Sequence, residues 1–247
     1  MEELEVFWVI GLLSVEKHDK FEGVYWFYSG DEKILVTRSL DKGFRVYGER
    51  LFRVGDEEYR EWIPYRSKLA AAILSGIKEI GITPGCRVLY LGVASGTTAS
   101  HVSDIIGEKG MLYGVDFAPM VLAQFKRNVA DRRKNVVAIY ADARFPITYK
   151  PIVGQVDFIY CDIAQPEQAK ILAENARLML KDDGLAMIAI KARSIDSTEE
   201  PSKVYRQEIA VLEGSGFVVL EKVDLGKYEQ DHIMVLARYS PRRQNKK

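Results

Sequence analysis

The chain has 247 residues, of which 47% are hydrophobic and 28% charged, a composition that excludes a disordered, collagen-like or coiled-coil protein. At ~150 residues per domain, this length predicts one large domain or a large domain joined to a small one. Because 35 basic residues balance 35 acidic ones, the overall charge provides no attraction to nucleic acid or to a membrane, and an RNA partner has to be held by a local patch or by another protein.

The sequence also argues against a membrane, secreted or metal-binding protein. No apolar run approaches the ~18 residues of a membrane span, and the opening segment MEELE lacks the basic residues of a signal peptide. The cysteines and histidines are too scattered to predict a metal site: Cys86, Cys161, His18, His101 and His232. We expect a cytoplasmic protein without a metal centre.

The first 55 residues have the pattern of short β-strands. Segments rich in β-branched and aromatic residues are separated by turn signals such as Ser29-Gly30-Asp31. In chain order they are VFWVIGLL, GVYWFY, EKILVT, FRVYG and LFRVG. Residues 1–55 are therefore predicted to form a small β-rich domain.

From about Tyr65 the pattern changes to helices that alternate with apolar strands. The predicted helices are SKLAAAILSGIKEI, TTASHVSDII, PMVLAQFKRNVADRR, PEQAKILAENARLMLK and PSKVYRQEIAVLEGSG. The predicted strands are RVLYLGV, MLYGVDF, NVVAIYAD, VDFIYCDIA, LAMIAIKA, FVVLEKVDL and HIMVLARY. Near-continuous apolar strands are expected where helices cover both faces of a parallel sheet. Residues 56–247 are predicted to form a doubly wound, Rossmann-like α/β domain with seven strands, the last two an antiparallel hairpin at the edge.

A glycine-containing loop follows the first strand of this sheet. Ligands of such sheets bind beyond the carboxyl ends of the strands, and there Gly92 and Gly96 flank small residues that let the backbone approach a ligand closely. Asp116 ends the second strand, where a carboxylate can accept both hydroxyls of a ribose. Asp142 and Ala143 end the third strand and suit an adenine edge. These residues predict a nucleoside-binding site.

The glycine spacing distinguishes two kinds of nucleotide. A pyrophosphate loop has the pattern G-x-G-x-x-G, whereas this loop has G-x-x-x-G without a third glycine. S-adenosylmethionine has a ribose and an adenine but no phosphate, so it fits the loop better, and the edge hairpin suits the methyltransferase variant of the fold. The alternative is that both glycines serve only a tight turn between strand and helix.

Four further polar residues are predicted at the same edge of the sheet. Asp162 and Lys191 end the fourth and fifth strands, His232 begins the last strand, and Lys68 lies near the start of the first helix. Each has a simpler explanation, since Lys191 can be a solvated strand end, Lys68 a surface residue and His232 an edge histidine. Together they predict a carboxylate and several basic groups in one cleft.

Six segments between residues 62 and 235 resemble the fibrillarin family, in the family's order. They are YRSKLAAAIL, VLYLGVASGTTASHVSDIIG, DAR, CDIAQPEQAKI, IKARSIDST and YEQDHIMV. The long GVASGTTASHVSDI and DIAQP segments are far more specific than a general glycine-rich loop. The family methylates ribose 2′-hydroxyls within box C/D ribonucleoprotein particles, at positions that a guide RNA selects.

The resemblance implies a methyltransferase fold with an S-adenosylmethionine pocket and a Lys-Asp-Lys-His catalytic set, which falls on Lys68, Asp162, Lys191 and His232. The implied pocket residues are Gly92, Ala94, Ser95, Gly96, Thr97, Thr98, Asp116, Phe117, Asp142, Ala143, Asp162 and Gln165. The chain begins directly with the β domain, as archaeal members do, and Asp116 stands where a longer glutamate is common in the family. Lys191, when neutral, is our candidate to accept the hydroxyl proton, with Asp162 orienting it.

The resemblance also implies partners. They are a box C/D guide RNA with its target RNA, a Nop-family scaffold protein and a ribosomal-type protein that binds the kink-turn. Arg144, Lys191 and Arg193 are the candidates for contact with RNA phosphate. Two other functions stay open at this point: a methyltransferase whose acceptor is a protein glutamine, and a cofactor-binding subunit with only a structural role.

Overall fold

The computed structural model describes residues 13–241. Most of the strand predicted at VFWVIGLL lies outside these residues. The described chain folds into two β-sheets, a five-stranded sheet near the N-terminus and a seven-stranded sheet that follows it.

The N-terminal sheet is antiparallel, with strand order β1-β2-β3-β5-β4. Its strands are β1 (Leu13–Lys17), β2 (Val24–Ser29), β3 (Glu32–Arg38), β4 (Leu51–Val54) and β5 (Glu57–Glu61). The sheet thus continues past residue 55, through the charged segment EEYRE, which the sequence analysis did not identify as a strand.

The strand predicted at FRVYG is wrong, because residues 44–48 form a loop. The Glu49 carboxylate accepts hydrogen bonds from the backbone N–H of Val46 (3.1 Å) and Tyr47 (2.9 Å). Gly48 has a φ of +87°, in the left-handed region. Amides that donate to a side chain in a turn are not available to a sheet ladder.

The second sheet has the order β11-β12-β10-β9-β6-β7-β8, which confirms the doubly wound α/β prediction. Strands β6 to β10 are parallel, and β12 is antiparallel to both β10 and β11. The strands are β6 (Arg87–Leu91), β7 (Met111–Asp116), β8 (Val136–Tyr140), β9 (Val156–Cys161), β10 (Leu180–Lys191), β11 (Phe217–Asp224) and β12 (His232–Tyr239). Because β7 and β9 lie on opposite sides of β6, the strand order reverses there, and a cleft is expected at the carboxyl ends of these strands.

Helices cover both faces of this sheet. They are α1 (Lys68–Leu74), α2 (Thr97–Ile106), α3 (Pro119–Asn128), α4 (Lys150–Val153), α5 (Gln168–Met179), α6 (Ala192–Ile195) and α7 (Pro201–Gly214). Helices α1, α2 and α3 pack on one face, and α5 and α7 on the other. None of the helices within residues 13–241 combines the length and apolar composition that crossing a bilayer requires.

Helix α1 is shorter than predicted, ending at Leu74 instead of continuing to residue 80. Gly76 adopts a φ of +92° and its N–H donates to the Ile73 carbonyl, while Ile77 N–H donates to the Ala72 carbonyl. This pair of bonds is the Schellman motif, which satisfies the last carbonyls of a helix and ends it.

A buried polar network joins the two sheets through α2. Asp104 on α2 accepts hydrogen bonds from Arg60 of β5 and from Arg133, each at 2.7 Å. Arg60 also forms an ion pair with Glu49 at 2.6 Å. Because buried charges are tolerated only when they are paired and hydrogen-bonded, this network fixes α2 against the N-terminal sheet.

Candidate active site

A cleft of about 270 Å³ opens at the carboxyl ends of β6, β7 and β9. Its walls include Asp116 from the end of β7 and the residues that follow β6 and β9. Eight of the residues predicted for the site line it: Gly92, Ala94, Asp116, Phe117, Ala143, Asp162, Gln165 and Lys191. The structure therefore brings residues from five strand ends, those of β6 to β10, to one cavity.

The two loop glycines have different surroundings. Gly92 has a φ of +78°, and a Cβ there would lie 2.8 Å from the Asp162 carbonyl oxygen, so only glycine lets the two strand ends approach this closely. Gly96 has a φ of +96°, and a Cβ there would lie 2.6 Å from the Phe125 ring. Gly92 shapes the cleft wall, whereas Gly96 lets α3 pack against the start of α2.

Asp116 is held in one orientation by the backbone. Its Oδ2 accepts a hydrogen bond from Ala94 N–H and its Oδ1 from Ala118 N–H, both at 2.9 Å. Each carboxylate oxygen keeps a free lone pair. Asp116 can therefore present two fixed acceptors to a pair of neighbouring hydroxyls.

Asp142 and Gln165 lie together at the other side of the cleft. Arg144 donates to the Asp142 carboxylate at 2.6 Å, and this hydrogen bond lowers the pKa of Asp142. Gln165 Nε2 donates to Asp142 Oδ1 at 3.4 Å, while the buried Gln165 Oε1 has no partner among residues 13–241. A buried acceptor without a donor costs free energy, so Gln165 Oε1 is a natural contact for a ligand N–H.

Five residues predicted for the pocket do not line this cleft: Gly96 and Asp142, described above, and Ser95, Thr97 and Thr98. Ser95 and Thr97 are half-buried and are not part of the cleft wall. Thr98 is buried, and its hydroxyl donates to Ser67 Oγ at 2.8 Å.

Asp162 lies at the centre of the predicted catalytic set. Lys191 Nζ is 2.8 Å from Asp162 Oδ1 and donates to the Asp162 backbone carbonyl at 2.8 Å. Lys68 Nζ is 3.4 Å from the same carboxylate oxygen and 3.9 Å from Glu229 Oε1. The Lys68, Asp162 and Lys191 side chains are only 17%, 14% and 12% exposed. Two lysines therefore share one largely buried carboxylate.

His232 joins this set by strand register. It lies directly opposite Lys191 in the antiparallel β10–β12 pair, so both side chains project from the same face of the sheet. Its Nδ1 lies 2.6 Å from the Gln230 carbonyl oxygen. Within residues 13–241 no hydrogen bond or ion pair connects His232 to the other three residues.

Two residues near the set were not foreseen. Glu229 faces Lys68 and lies in YEQDHIM, the segment that contains His232. Ser67 precedes Lys68, and its side chain caps α1 by accepting from Ala70 N–H. A serine just before a helical run is a recognisable capping signal, but its contact with the distant Thr98 is not readable from the sequence.

The charges of the cleft discriminate between ligands. Among residues 13–241, Lys191 is the only cation that lines the cleft, against the carboxylates of Asp116 and Asp162. A pyrophosphate would face this net negative charge, whereas the sulfonium and ammonium groups of S-adenosylmethionine would be attracted by it. The fixed Asp116 carboxylate and the unpartnered Gln165 oxygen also fit a ribose and an amino group.

Comparisons with known proteins agree with this assignment. The sequence model of the family described as Fibrillarin matches residues 15–241. A fibrillarin-like rRNA/tRNA 2′-O-methyltransferase from Staphylothermus marinus is 53% identical over 229 residues, which cover 92% of this chain and 97% of the relative.

Two solved structures are also similar. Aeropyrum pernix fibrillarin with natively bound S-adenosyl-L-methionine has 50% identity and a TM-score of 0.85, covering 92% of this chain and 100% of that one. The fibrillarin chain of a fibrillarin/Nop5p complex has 40% identity and a TM-score of 0.78, covering 91% of this chain and 100% of that one.

Proposed function

Because the chain belongs to the fibrillarin family, we propose that it transfers methyl groups from S-adenosylmethionine to ribose 2′-hydroxyls of rRNA and tRNA, at sites that a box C/D guide RNA selects. The observation that carries this proposal is the pair of lysines on Asp162 beside a cleft suited to the cofactor. With these RNAs as acceptors, we propose a cytoplasmic location in an archaeal-type cell.

The proposed cofactor contacts follow from the cleft. Asp116 would accept from the ribose hydroxyls, and Ala143 with the neighbouring Asp142 would lie at the adenine. Gln165 and Asp162 would lie near the methionine part of the cofactor. The bound cofactor supplies an electrophilic methyl group on a sulfonium cation.

The protein's own contribution is alignment and the handling of one proton. Alignment of the hydroxyl for in-line displacement can supply on the order of 7 kcal/mol or more. We assign the proton to Lys191 Nζ, which lies at the cleft wall within 2.8 Å of Asp162. Asp162 then holds Lys191 in place, Lys68 orients the acceptor, and His232 shapes the local charge.

The proposed partners account for site selection. A Nop-family scaffold is supported by the related fibrillarin/Nop5p complex. We extend the proposal to a guide RNA and a kink-turn-binding protein, because the described surface near the site offers few unpaired cations. Arg144 is bound to Asp142 and Arg193 to Asp231.

The test is methyl transfer in a particle reconstituted with guide RNA, scaffold, kink-turn protein and labelled cofactor. We expect label at the guide-matched nucleotide with the parent protein, and loss of transfer with Lys191→Ala and Lys191→Arg, because a guanidinium retains its proton. Lys181→Ala, on the exposed end of the same strand, is the matched control. Cofactor titration without RNA should show similar affinity for all four proteins.

Each contrary outcome has a distinct meaning. Label on a glutamine side chain of a protein would mean that the methyl acceptor is a protein and not RNA. Cofactor binding without methyl transfer would mean that the protein is a structural subunit of the particle. An active Lys191→Arg variant would remove Lys191 as the proton acceptor. Efficient methylation by the isolated chain would refute the dependence on partners.

A further inference from the structure

The Ser67 hydroxyl is the meeting point of three structural elements. Its Oγ accepts hydrogen bonds from Trp62 Nε1 at 2.9 Å and from Thr98 Oγ1 at 2.8 Å. It also accepts from Ala70 N–H at 3.4 Å, in the first turn of α1. Trp62 follows the N-terminal sheet, and Thr98 is the second residue of α2. All three side chains are buried, with exposures of 1% for Trp62, 4% for Ser67 and 6% for Thr98.

These bonds connect the two sides of the candidate active site. Ser67 immediately precedes Lys68, whose Nζ lies 3.4 Å from Asp162. Thr98 lies in the first turn of α2, directly after the loop that begins with Gly92 on the cleft wall. The Ser67–Thr98 bond therefore fixes the start of α1, which carries Lys68, relative to the loop beside the cofactor cleft.

The N-terminal sheet strengthens this connection. The Trp62 ring stacks on His101 of α2, with centroids 5.0 Å apart and planes at 15°. His101 follows Thr98 by three residues, so both lie on the same face of α2. The indole thus contacts α2 with its ring and Ser67 with its N–H, which leaves the Ser67 hydroxyl little freedom to move.

We propose that Ser67 and Thr98 are positioning residues for methyl transfer, and that their hydroxyls hold Lys68 at the distance from the cofactor loop that the reaction needs. The inference rests on the proposed function, since it gives these hydroxyls a role in the same reaction. It departs from the expectation that Thr98 contacts the cofactor. Displacing a substrate-orienting group by ~1 Å can reduce turnover by ~100-fold, so a hydroxyl that touches no reactant can still control the rate.

Two substitutions of Thr98 separate the hydroxyl from the packing. Thr98→Val retains the shape and removes the hydroxyl, whereas Thr98→Ser retains the hydroxyl and removes a methyl group. Ser67→Ala removes the shared acceptor. In the reconstituted particle at saturating cofactor, we expect Thr98→Val and Ser67→Ala to lower kcat by ~10-fold or more. Thr98→Ser should keep a clearly higher kcat than Thr98→Val.

Cofactor affinity and thermal stability are measured on the same proteins. Positioning predicts that the cofactor Kd of Thr98→Val stays within ~3-fold of the parent while kcat falls at a temperature where the variant is folded. Equal kcat for the two Thr98 variants would overturn the inference. So would a rise in cofactor Kd that matches the loss of activity, because Thr98 would then be a cofactor contact. A parent protein that transfers no methyl group would overturn the proposed function together with the inference.

Discussion

Protonation of His101 is expected to make the fold sensitive to mild acid. The ring is fully buried on α2, with Nδ1 2.7 Å from Thr37 Oγ1 and Nε2 2.7 Å from Tyr47 Oη. Thr37 in turn donates to Asp104. A neutral ring donates from Nδ1 to Thr37, and its Nε2 then competes for the single Tyr47 hydroxyl proton with the Glu61 carbonyl oxygen, which lies 2.7 Å from Tyr47 Oη.

Burial lowers the pKa of His101 well below its usual value near 6.5, and the nearby Arg60 and Arg133 lower it further. Below pH 6.5 the unfolded chain therefore binds a proton at His101 that the folded protein does not. The free energy of unfolding falls as the pH decreases through this window and levels off above it. With an unfolded pKa of ~6.5, the largest loss that this linkage gives between pH ~7 and pH ~5 is about 2 kcal/mol.

The assay is urea denaturation, followed by tryptophan fluorescence, at several pH values between ~5 and ~7. His101→Gln is expected to be less stable at every pH but to lose less stability than the parent across this range, by up to about 2 kcal/mol. Burial also lowers the pKa of His18, so His18→Gln is the control for the second histidine that acts in the same direction. The same dependence of stability on pH in the parent and in His101→Gln would refute this role of His101.

Three further predictions concern the cleft, the catalytic set and the interface between the sheets. Gly92→Ala places a Cβ 2.8 Å from the Asp162 carbonyl and should raise the cofactor Kd by ~10-fold or more, equivalent to 1.4 kcal/mol, as measured by calorimetry; unchanged affinity would contradict the close approach. Asp162→Ala should reduce the rate of single-turnover methylation by ~100-fold or more, because it leaves Lys68 and Lys191 without their shared carboxylate. His232 has no such contact within residues 13–241, so His232→Ala should have a smaller effect. A larger effect of His232→Ala than of Asp162→Ala would contradict the assignment. Asp104→Ala leaves the buried Arg133 without its ion partner and should lower the free energy of unfolding by about 3–5 kcal/mol, as measured by urea denaturation. The control is Asp131→Ala, which removes an exposed ion pair with Lys126 and should lower it by less than ~1 kcal/mol.

The second sheet was readable from the sequence because its signal is strong and local. In a chain of this length, uninterrupted apolar runs such as those of β6 and β9 are compatible with few structures other than a buried strand. Once the strands are known, the carboxyl ends of a parallel sheet bring Asp116, Asp162 and Lys191 to one edge without further information. The cleft lies at that edge.

The parts that the sequence did not predict depend on contacts between residues that are distant in the chain, or on side chains that take backbone N–H groups which a neighbouring strand would otherwise bind. FRVYG has the composition of a strand, but Glu49 takes two of its amides. EEYRE has the composition of a loop, yet it pairs with β3 and β4, and its Arg60 is buried by Glu49 and Asp104. Thr98 belongs to a motif of small polar residues that suggests a ligand, but its hydroxyl faces Ser67.

The distribution of charge connects the site to the need for partners. The 35 basic and 35 acidic residues cancel overall. Near the cleft the cations are also paired with carboxylates: Arg144 with Asp142, Arg193 with Asp231, and both lysines of the candidate site, Lys68 and Lys191, with Asp162. RNA phosphates would have to compete with these carboxylates before they gained a contact, which weakens the electrostatic attraction that dominates RNA affinity. In this arrangement Lys68 and Lys191 add little to RNA affinity, and their proposed roles are to orient the acceptor hydroxyl and to accept its proton. We infer that the RNA is bound by other components of the particle, and that Lys68 and Lys191 meet it only once it has been placed in the site.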